Sequence, residues 1–216
     1  MTTTAHSTSH ETAAHLSGPA TSGRTTLGVL LLTGVLSLAA ILGPNLAATD
    51  LDMTMSMNMT HYMELLAIRQ PWNLLIFMAV PVVLAETLAI TELVLLFKRD
   101  AAPALVRTLS RVAGLVAGPV MLAILLHLTL NAVIPLTLTG GWRGPADLIA
   151  VGFYLSGAVP LIGITLVELG LIGSTRTQAM AWHAAFIAVF LVVAHVAMIF
   201  GMLDPGVLGF LMAHEH

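Results

Sequence analysis

Apolar residues along the chain collect into five long runs that short polar segments separate. The runs lie near residues 26–46, 72–97, 109–135, 146–172 and 177–202. Each run has about the 20 residues that a helix needs to cross the hydrocarbon core of a bilayer. The pattern therefore predicts an all-α membrane protein with about five transmembrane helices, of which the last four form a bundle.

The segment before the first run is polar and rich in Thr, Ser, Ala and His. Residues 1–23 are predicted to be a disordered cytoplasmic tail, and residues 24–216 a single helical membrane domain. The first run is short and Pro44 follows it, so two interpretations stay open, a membrane anchor and a signal-like segment. The polar tail and the lack of a small-x-small cleavage site favour the anchor.

Composition excludes several classes of protein. Hydrophobic residues make up 57% of the 216 residues and charged residues only 9%, whereas soluble domains carry about 25% charged residues. The lipid bilayer is therefore the partner that the composition requires, and a net charge of −3 gives no basis for nucleic-acid binding. Because the chain has no cysteine, disulfides, iron–sulfur clusters and thiolate zinc sites are excluded.

Basic residues divide unevenly between the two ends of the predicted helices. One end carries six of them: Arg24, Lys98, Arg99, Arg107, Arg111 and Arg176. The other end carries only Arg69 and Arg143. The positive-inside rule places the end with six basic residues in the cytoplasm. We therefore expect a multi-pass protein of the bacterial inner membrane, with a cytoplasmic N-terminus and an external C-terminus.

Two of the predicted helices share a motif. The segments "AVPVVLAETLAITEL" (79–93) and "AVPLIGITLVEL" (158–169) both combine Ala-Val-Pro with a Glu-Leu pair nearer the inner end. The helix after each segment carries a histidine in its outer half, His127 and His195 respectively. This pattern indicates a duplicated two-helix hairpin, related by a pseudo-two-fold axis along the membrane normal. Chance similarity between apolar segments is the alternative.

Ionisable residues within the predicted helices fall at distinct depths. The predicted outer level holds two histidines, His127 and His195. The predicted inner level holds Glu92, Glu168 and His183, and Glu86 lies between the two levels. A charged carboxylate in the membrane costs roughly 2.5–3.5 kcal/mol, so such groups usually face the bundle interior or a wet cavity. We predict a cation or proton pathway. A protonated, hydrogen-bonded structural role is the alternative for the two inner glutamates.

Prolines interrupt three of the predicted helices at Pro81, Pro119 and Pro160. A proline inside a helix releases the carbonyl of the residue four positions earlier, which is Phe77 in the case of Pro81. At membrane depth a released carbonyl must be buried in protein or line a polar cavity.

The polar segment after the first run is rich in methionine. The stretch "DMTMSMNMTHYM" (52–63) places soft or borderline metal ligands at every second position: Met53, Met55, Met57, Met59, His61 and Met63. In an extended chain these side chains share one side, and thioether with imidazole suits copper, above all Cu(I). The external tail adds His214 and His216. An apolar lid, for which methionine is an adaptable filler, is the alternative.

The stretch "MTHYMELLAIRQPWNLLIFMAVPVVLAETLAITELVLLF" resembles an uncharacterised family of bacterial integral membrane proteins, some of which carry the label permease. The resemblance covers most of residues 57–202. It implies a helical membrane fold and adds weight to transport, but it implies no substrate and no catalytic residue.

Three functions are consistent with the sequence. The first is the handling or transport of a transition-metal cation, with copper favoured, through the histidines and glutamates named above. The second is a membrane cytochrome subunit in which His127 and His195 ligate one haem b. The third is a structural subunit whose membrane partners bury these groups. No set of residues specifies a reaction, so catalysis is not favoured.

Overall fold

Helices form all the regular secondary structure in the part of the chain that is described. A computed structural model describes residues 22–47, 58–98 and 101–205. The helices are α1 (Gly23–Leu42), α2 (His61–Ala67), α3 (Trp72–Lys98), α4 (Ala104–Thr139), α5 (Pro145–Glu168) and α6 (Arg176–Gly201). All except the short α2 are long and apolar enough to cross a membrane. The predicted all-α fold with five membrane-spanning helices is confirmed, and the protein is a multi-pass membrane protein.

Local sequence explains the helix ends that differ from the prediction. Helix α4 begins at Ala104, several residues before the predicted start, directly after Pro103. Helix α5 ends at Glu168, before the predicted end at residue 172. There Gly170 adopts a φ of 72°, and its N–H donates to the Val167 carbonyl at 2.9 Å. A glycine in this left-handed conformation is a common helix terminator because it has no Cβ.

The last four helices form the predicted bundle. Helix α3 packs on α4, α4 on α5, α5 on α6, and α6 closes the ring on α3. Leu88, Met121 and Leu161, from three different helices, are buried in its core. Helix α1 packs outside the ring against α4, and α2 packs against α5 and α6. The ring order sets α3 opposite α5 and α4 opposite α6, as a duplicated hairpin requires, although the duplication itself stays a prediction.

Two glycines bring α4 and α5 close together. The Thr165 hydroxyl donates to the Gly114 carbonyl at 2.6 Å and accepts from the Gly118 N–H at 2.9 Å. The hydroxyl therefore stands between two backbone groups that would otherwise bond to each other within α4. A Cβ at Gly118 would lie 2.9 Å from the Thr165 Cβ. Small residues allow this approach, as is common between membrane helices.

A π-helical turn precedes a proline in both α3 and α4, at Leu75–Ala79 and Thr129–Val133. The carbonyl of Phe77, which Pro81 releases, is buried and accepts a hydrogen bond from the Tyr154 hydroxyl. The expected burial of this released carbonyl is therefore confirmed. The bond ties α5 to α3 across the ring.

Candidate functional site

Two glutamates and one histidine meet at the end of the bundle that carries most of the basic residues. Glu92 comes from α3, Glu168 from α5 and His183 from α6. The Nε2 atom of His183 lies 3.3 Å from Oε1 of Glu168, and its Nδ1 atom lies 3.5 Å from Oε1 of Glu92. The imidazole is buried and the two carboxylates are nearly so. We call these three residues the inner cluster.

Neighbouring residues fix the two carboxylates of the inner cluster. The Ser110 hydroxyl donates to Glu92 Oε1 at 2.7 Å. Gly114 leaves room for Glu168, since a Cβ there would lie 2.8 Å from the Glu168 Cγ. The sequence predicted that Glu92, Glu168 and His183 lie at one level, and the structure brings them together. It did not identify Ser110, a serine on a neighbouring helix that no sequence pattern connects to Glu92.

The inner cluster borders a cleft of about 250 Å³. Its charged lining also includes three arginines from α4 and α6: Arg107, Arg111 and Arg176. The cleft therefore joins buried carboxylates to a basic rim at one end of the bundle.

The geometry of the inner cluster suits proton transfer better than metal binding. His183 presents its two ring nitrogens to two different carboxylates, and one metal ion cannot bind both nitrogens of one ring. Accordingly, no group of three or more His, Asp or Glu within the described ranges is placed to hold a metal. An imidazole can accept a proton at one nitrogen and release another from the opposite nitrogen. Its Nδ1 makes no hydrogen bond within the described residues and lies 3.5 Å from Glu92 Oε1.

The structure gives the two histidines of the predicted outer pair different surroundings. His127 is buried: its Nε2 accepts from the Leu46 N–H at 3.2 Å, and its Nδ1 donates to the Ala40 carbonyl at 3.0 Å. His195 is exposed, and its Nδ1 donates to the Leu191 carbonyl of its own helix at 2.6 Å. No hydrogen bond, ion pair or ring contact joins the two in the described segments. His127 points toward α1 and not across the bundle, so the structure does not form the predicted pair.

Glu86 does not line the interior of the bundle. It is exposed, on the same face of α3 as the exposed Val83 and Ile90. These positions recur every three or four residues, which is the spacing of one helix face. Within the described residues, Glu86 therefore does not connect the two outer histidines to the inner cluster.

A second polar network, at the opposite end of the bundle, joins α2 to α5. Asp147 is fully buried: its Oδ1 accepts from the His61 N–H at 2.7 Å, and its Oδ2 lies 2.6 Å from His61 Nδ1. Arg143 donates its own N–H to Asp147 Oδ2 at 3.1 Å. Its guanidinium pairs with buried Glu64 and donates to the Met59 carbonyl at 2.6 Å. These residues form the outer network.

Most of the outer network was not predicted from the sequence, although local signals for it were present. Thr60 precedes α2 and its hydroxyl accepts from the Met63 N–H, which is an N-cap. Pro145 stands in the first turn of α5, two residues before Asp147. Such helix-start signals on two segments that both carry ionisable residues could have indicated the contact.

The outer network changes the interpretation of the methionine segment. Met53, Met55 and Met57 lie outside the described residues. His61 and Met63 belong to helix α2, where residues two apart point about 200° apart and not to one side. The extended alternation therefore does not continue through these two residues, because the Thr60 N-cap starts a helix there.

The fold and the inner cluster define a class, a multi-pass helical membrane protein with a buried Glu–His–Glu cluster at its basic end. The chain belongs to a family of unknown function (DUF6803), whose model matches residues 57–216. The predicted membership of an uncharacterised family is thus confirmed, and the match includes α2 to α6. No curated protein and no solved structure matches the chain.

Proposed function

We propose that this protein is a membrane permease that moves protons through its inner cluster, coupled to the passage of a cation. The observation that carries the proposal is the position of His183 between Glu92 and Glu168, which come from three different helices of one ring. Ionisable groups at membrane depth are costly, and transporters use them as proton relays.

The relay consists of two proton transfers, one to the imidazole of His183 and one from it. Glu168, when protonated, gives its proton to Nε2 of His183 while Nδ1–H passes a proton to the Glu92 carboxylate. The imidazole ends in the other neutral tautomer, and the proton has moved from α5 to α3. Because the contacts of 3.3 and 3.5 Å are longer than strong hydrogen bonds, a shift of α6 against α3 or α5 selects which transfer occurs.

The orientation in the membrane is part of the proposal. The positive-inside rule assigns the arginine-lined cleft to the cytoplasm and the outer network to the external side. The inner cluster then exchanges protons with the cytoplasm of a bacterial cell through the cleft.

Copper is the cation that we propose as cargo, for a specific reason. His61 Nδ1 contacts the Asp147 carboxylate at 2.6 Å, which leaves Nε2 as the metal-binding nitrogen. Histidines that bind metals usually have this arrangement, since a carboxylate on the other nitrogen fixes tautomer and ring orientation. Met59, in the same methionine-rich stretch, lies two residues before His61.

The two other functions are less well supported. Haem ligation by Nε2 of His127 would break the hydrogen bond that this nitrogen accepts from the Leu46 N–H. A structural subunit of a larger complex agrees with the exposure of Glu86 and His195, which a membrane partner would bury.

The relay is tested by replacing His183 with glutamine, which keeps hydrogen bonding but cannot carry a proton. Vesicles containing the full chain and a pH-sensitive dye are given a membrane potential. We expect His183→Gln to lower the proton flux by about 100-fold. His195→Gln makes the same chemical change at an exposed position and should leave the flux unchanged. Equal flux through wild type and a correctly folded His183→Gln variant would refute the relay.

The copper proposal has its own test. Copper retained per chain under reducing conditions is measured for wild type and for Asp147→Asn, which removes the charged partner of His61. Affinity should fall about 10- to 100-fold. Leucine at Met55, Met57 and Met59 should also lower retention, whereas Met202→Leu, at the exposed end of α6, should not. Wild-type protein that retains no copper would end this part of the proposal and leave the relay standing.

A further inference from the structure

A groove opens on the outside of the bundle between α3 and α6, the loosest seam of the ring. Its volume is about 540 Å³, and its walls are mainly apolar: Leu95, Leu96, Met180, Ala181 and Ala184. These residues belong to the basic half of both helices. An apolar groove on the lipid-facing side of a membrane protein has the chemistry to hold an acyl chain.

The groove adjoins the cleft beside the inner cluster. Leu95, Met180 and Arg176 line both spaces. Arg176 therefore stands where the apolar groove meets the polar cleft. The combined space has an apolar part toward lipid and a charged part at the helix ends, which is the order of groups in a phospholipid of that leaflet.

Charge favours an anionic headgroup in the cleft. Three arginines line it, against the two carboxylates of Glu92 and Glu168. The arginines in the lining therefore outnumber the carboxylates by one. Arginine binds phosphate oxygens well because its planar guanidinium donates two parallel hydrogen bonds, and basic pockets between helices on the cytoplasmic side bind anionic lipid headgroups.

We propose that this space is a binding site for one anionic phospholipid, with an acyl chain in the groove and the phosphate among Arg107, Arg111 and Arg176. The site does not depend on the proton relay, because it uses the arginines and the apolar groove and not His183.

Leu96→Trp provides a probe, because Leu96 forms part of the groove wall and is 46% exposed. The native Trp182 does not line the groove and stacks on Phe186 instead. Trp72 and Trp142 belong to the opposite end of the bundle, at the start of α3 and just after α4. Replacing the three native tryptophans with phenylalanine leaves the introduced tryptophan as the single fluorophore. The full chain is placed in phosphatidylcholine bilayers with a small fraction of lipid that has brominated acyl chains, which quench tryptophan.

Brominated phosphatidylglycerol should quench this tryptophan as if enriched at least about five-fold over brominated phosphatidylcholine. Each arginine removed should lower that preference about five-fold, which means to unity where the starting preference is five-fold. Arg111→Gln and Arg176→Gln should show the loss. Arg24→Gln, at the start of α1, should not, and His183→Gln should keep the preference while it stops the relay. Arg111→Lys preserves the charge and should preserve most of the preference, which separates lost charge from a lost fold.

Two results would overturn the proposal. Equal quenching by the two brominated lipids would mean that the groove has no headgroup preference. Loss of the preference when excess inorganic phosphate is added would assign the arginines to a free anion instead of a lipid.

Discussion

Replacement of His127 by leucine tests whether this histidine is a structural residue or a ligand. The change removes two hydrogen bonds, from the Leu46 N–H and to the Ala40 carbonyl. It also removes the stacking of the imidazole on Phe77, whose ring centroid lies 5.9 Å away. Leucine keeps an apolar side chain of similar size in the buried space. The expected loss therefore reflects the hydrogen bonds more than a cavity.

The magnitude follows from these two bonds. Each contributes about 0.5–1.5 kcal/mol net, so the segment after α1 should be held less tightly by about 1–3 kcal/mol. Both partners of His127 belong to the end of α1 and the turn after it, whereas the bundle itself keeps its contacts. We therefore expect local opening of residues 43–47 and not global unfolding.

The chain has no cysteine, so Ala47→Cys gives a single, half-buried thiol in the affected segment. The rate of its reaction with a maleimide reports how often the segment opens. His127→Leu should raise this rate roughly 5- to 150-fold, which is the equivalent of 1–3 kcal/mol. His195→Leu, the matched change at an exposed site, should leave it unchanged. If the two variants behaved alike, or if either released a bound metal or haem, the structural role of His127 would be refuted.

Two further predictions concern the packing of the bundle and the outer end. Gly118→Ala places a Cβ 2.9 Å from the Thr165 Cβ and should destabilise the protein by about 1–3 kcal/mol in thermal unfolding. The control Gly152→Ala, which has open space around it, should be neutral. Equal melting temperatures of the two variants would contradict the tight α4–α5 contact. Burial raises the pKa of Tyr62 from 10.0 to about 12. As the pH rises, this tyrosine therefore ionises in the unfolded chain before it does in the folded one, and the free energy of unfolding should fall between pH about 10 and about 12. In Tyr62→Phe the free energy of unfolding should fall less steeply over the same range. Identical pH profiles for both proteins would show that Tyr62 is not the group involved.

The number and position of the spanning helices could be predicted because the bilayer constrains them directly. A helix must be about 20 residues long and apolar to cross it, and few other arrangements satisfy the backbone in lipid. The helix ends were less predictable because they depend on single residues, such as Pro103 before α4 and Gly170 after α5. A hydropathy pattern does not record the backbone conformation of one glycine.

The level of an ionisable residue along its helix could also be predicted. The side of the helix to which its side chain points could not be predicted from that level alone. Glu92 and Glu86 both lie in α3, six residues apart. At 100° per residue they point about 120° away from each other, so only one can readily face the interior. The structure buries most of Glu92 and exposes Glu86. The same helical geometry, applied to the sequence, would have shown that these two glutamates point to different sides of α3.

The outer network was hidden for a different reason. Its charged members come from α2, from the loop after α4 and from the first turn of α5, and no periodic pattern connects them. Asp147 and Glu64 are buried because Arg143 and His61 reach them from other segments. Buried charges require such partners, but sequence alone does not say which distant residue supplies them.

An internal duplication would predict the same surroundings for equivalent residues, but the surroundings of the two outer histidines differ. The position of α1 explains this difference. Helix α1 packs on α4 and not on α6, so His127 gains backbone partners from the end of α1 while His195, its predicted equivalent, stays exposed. The inner cluster departs from symmetry in another way. His183 lies twelve residues before His195, and the residue twelve before His127 is Leu115. Both glutamates therefore share one imidazole where a symmetric bundle would have two, and a single base between two carboxylates is the arrangement that a one-proton relay needs.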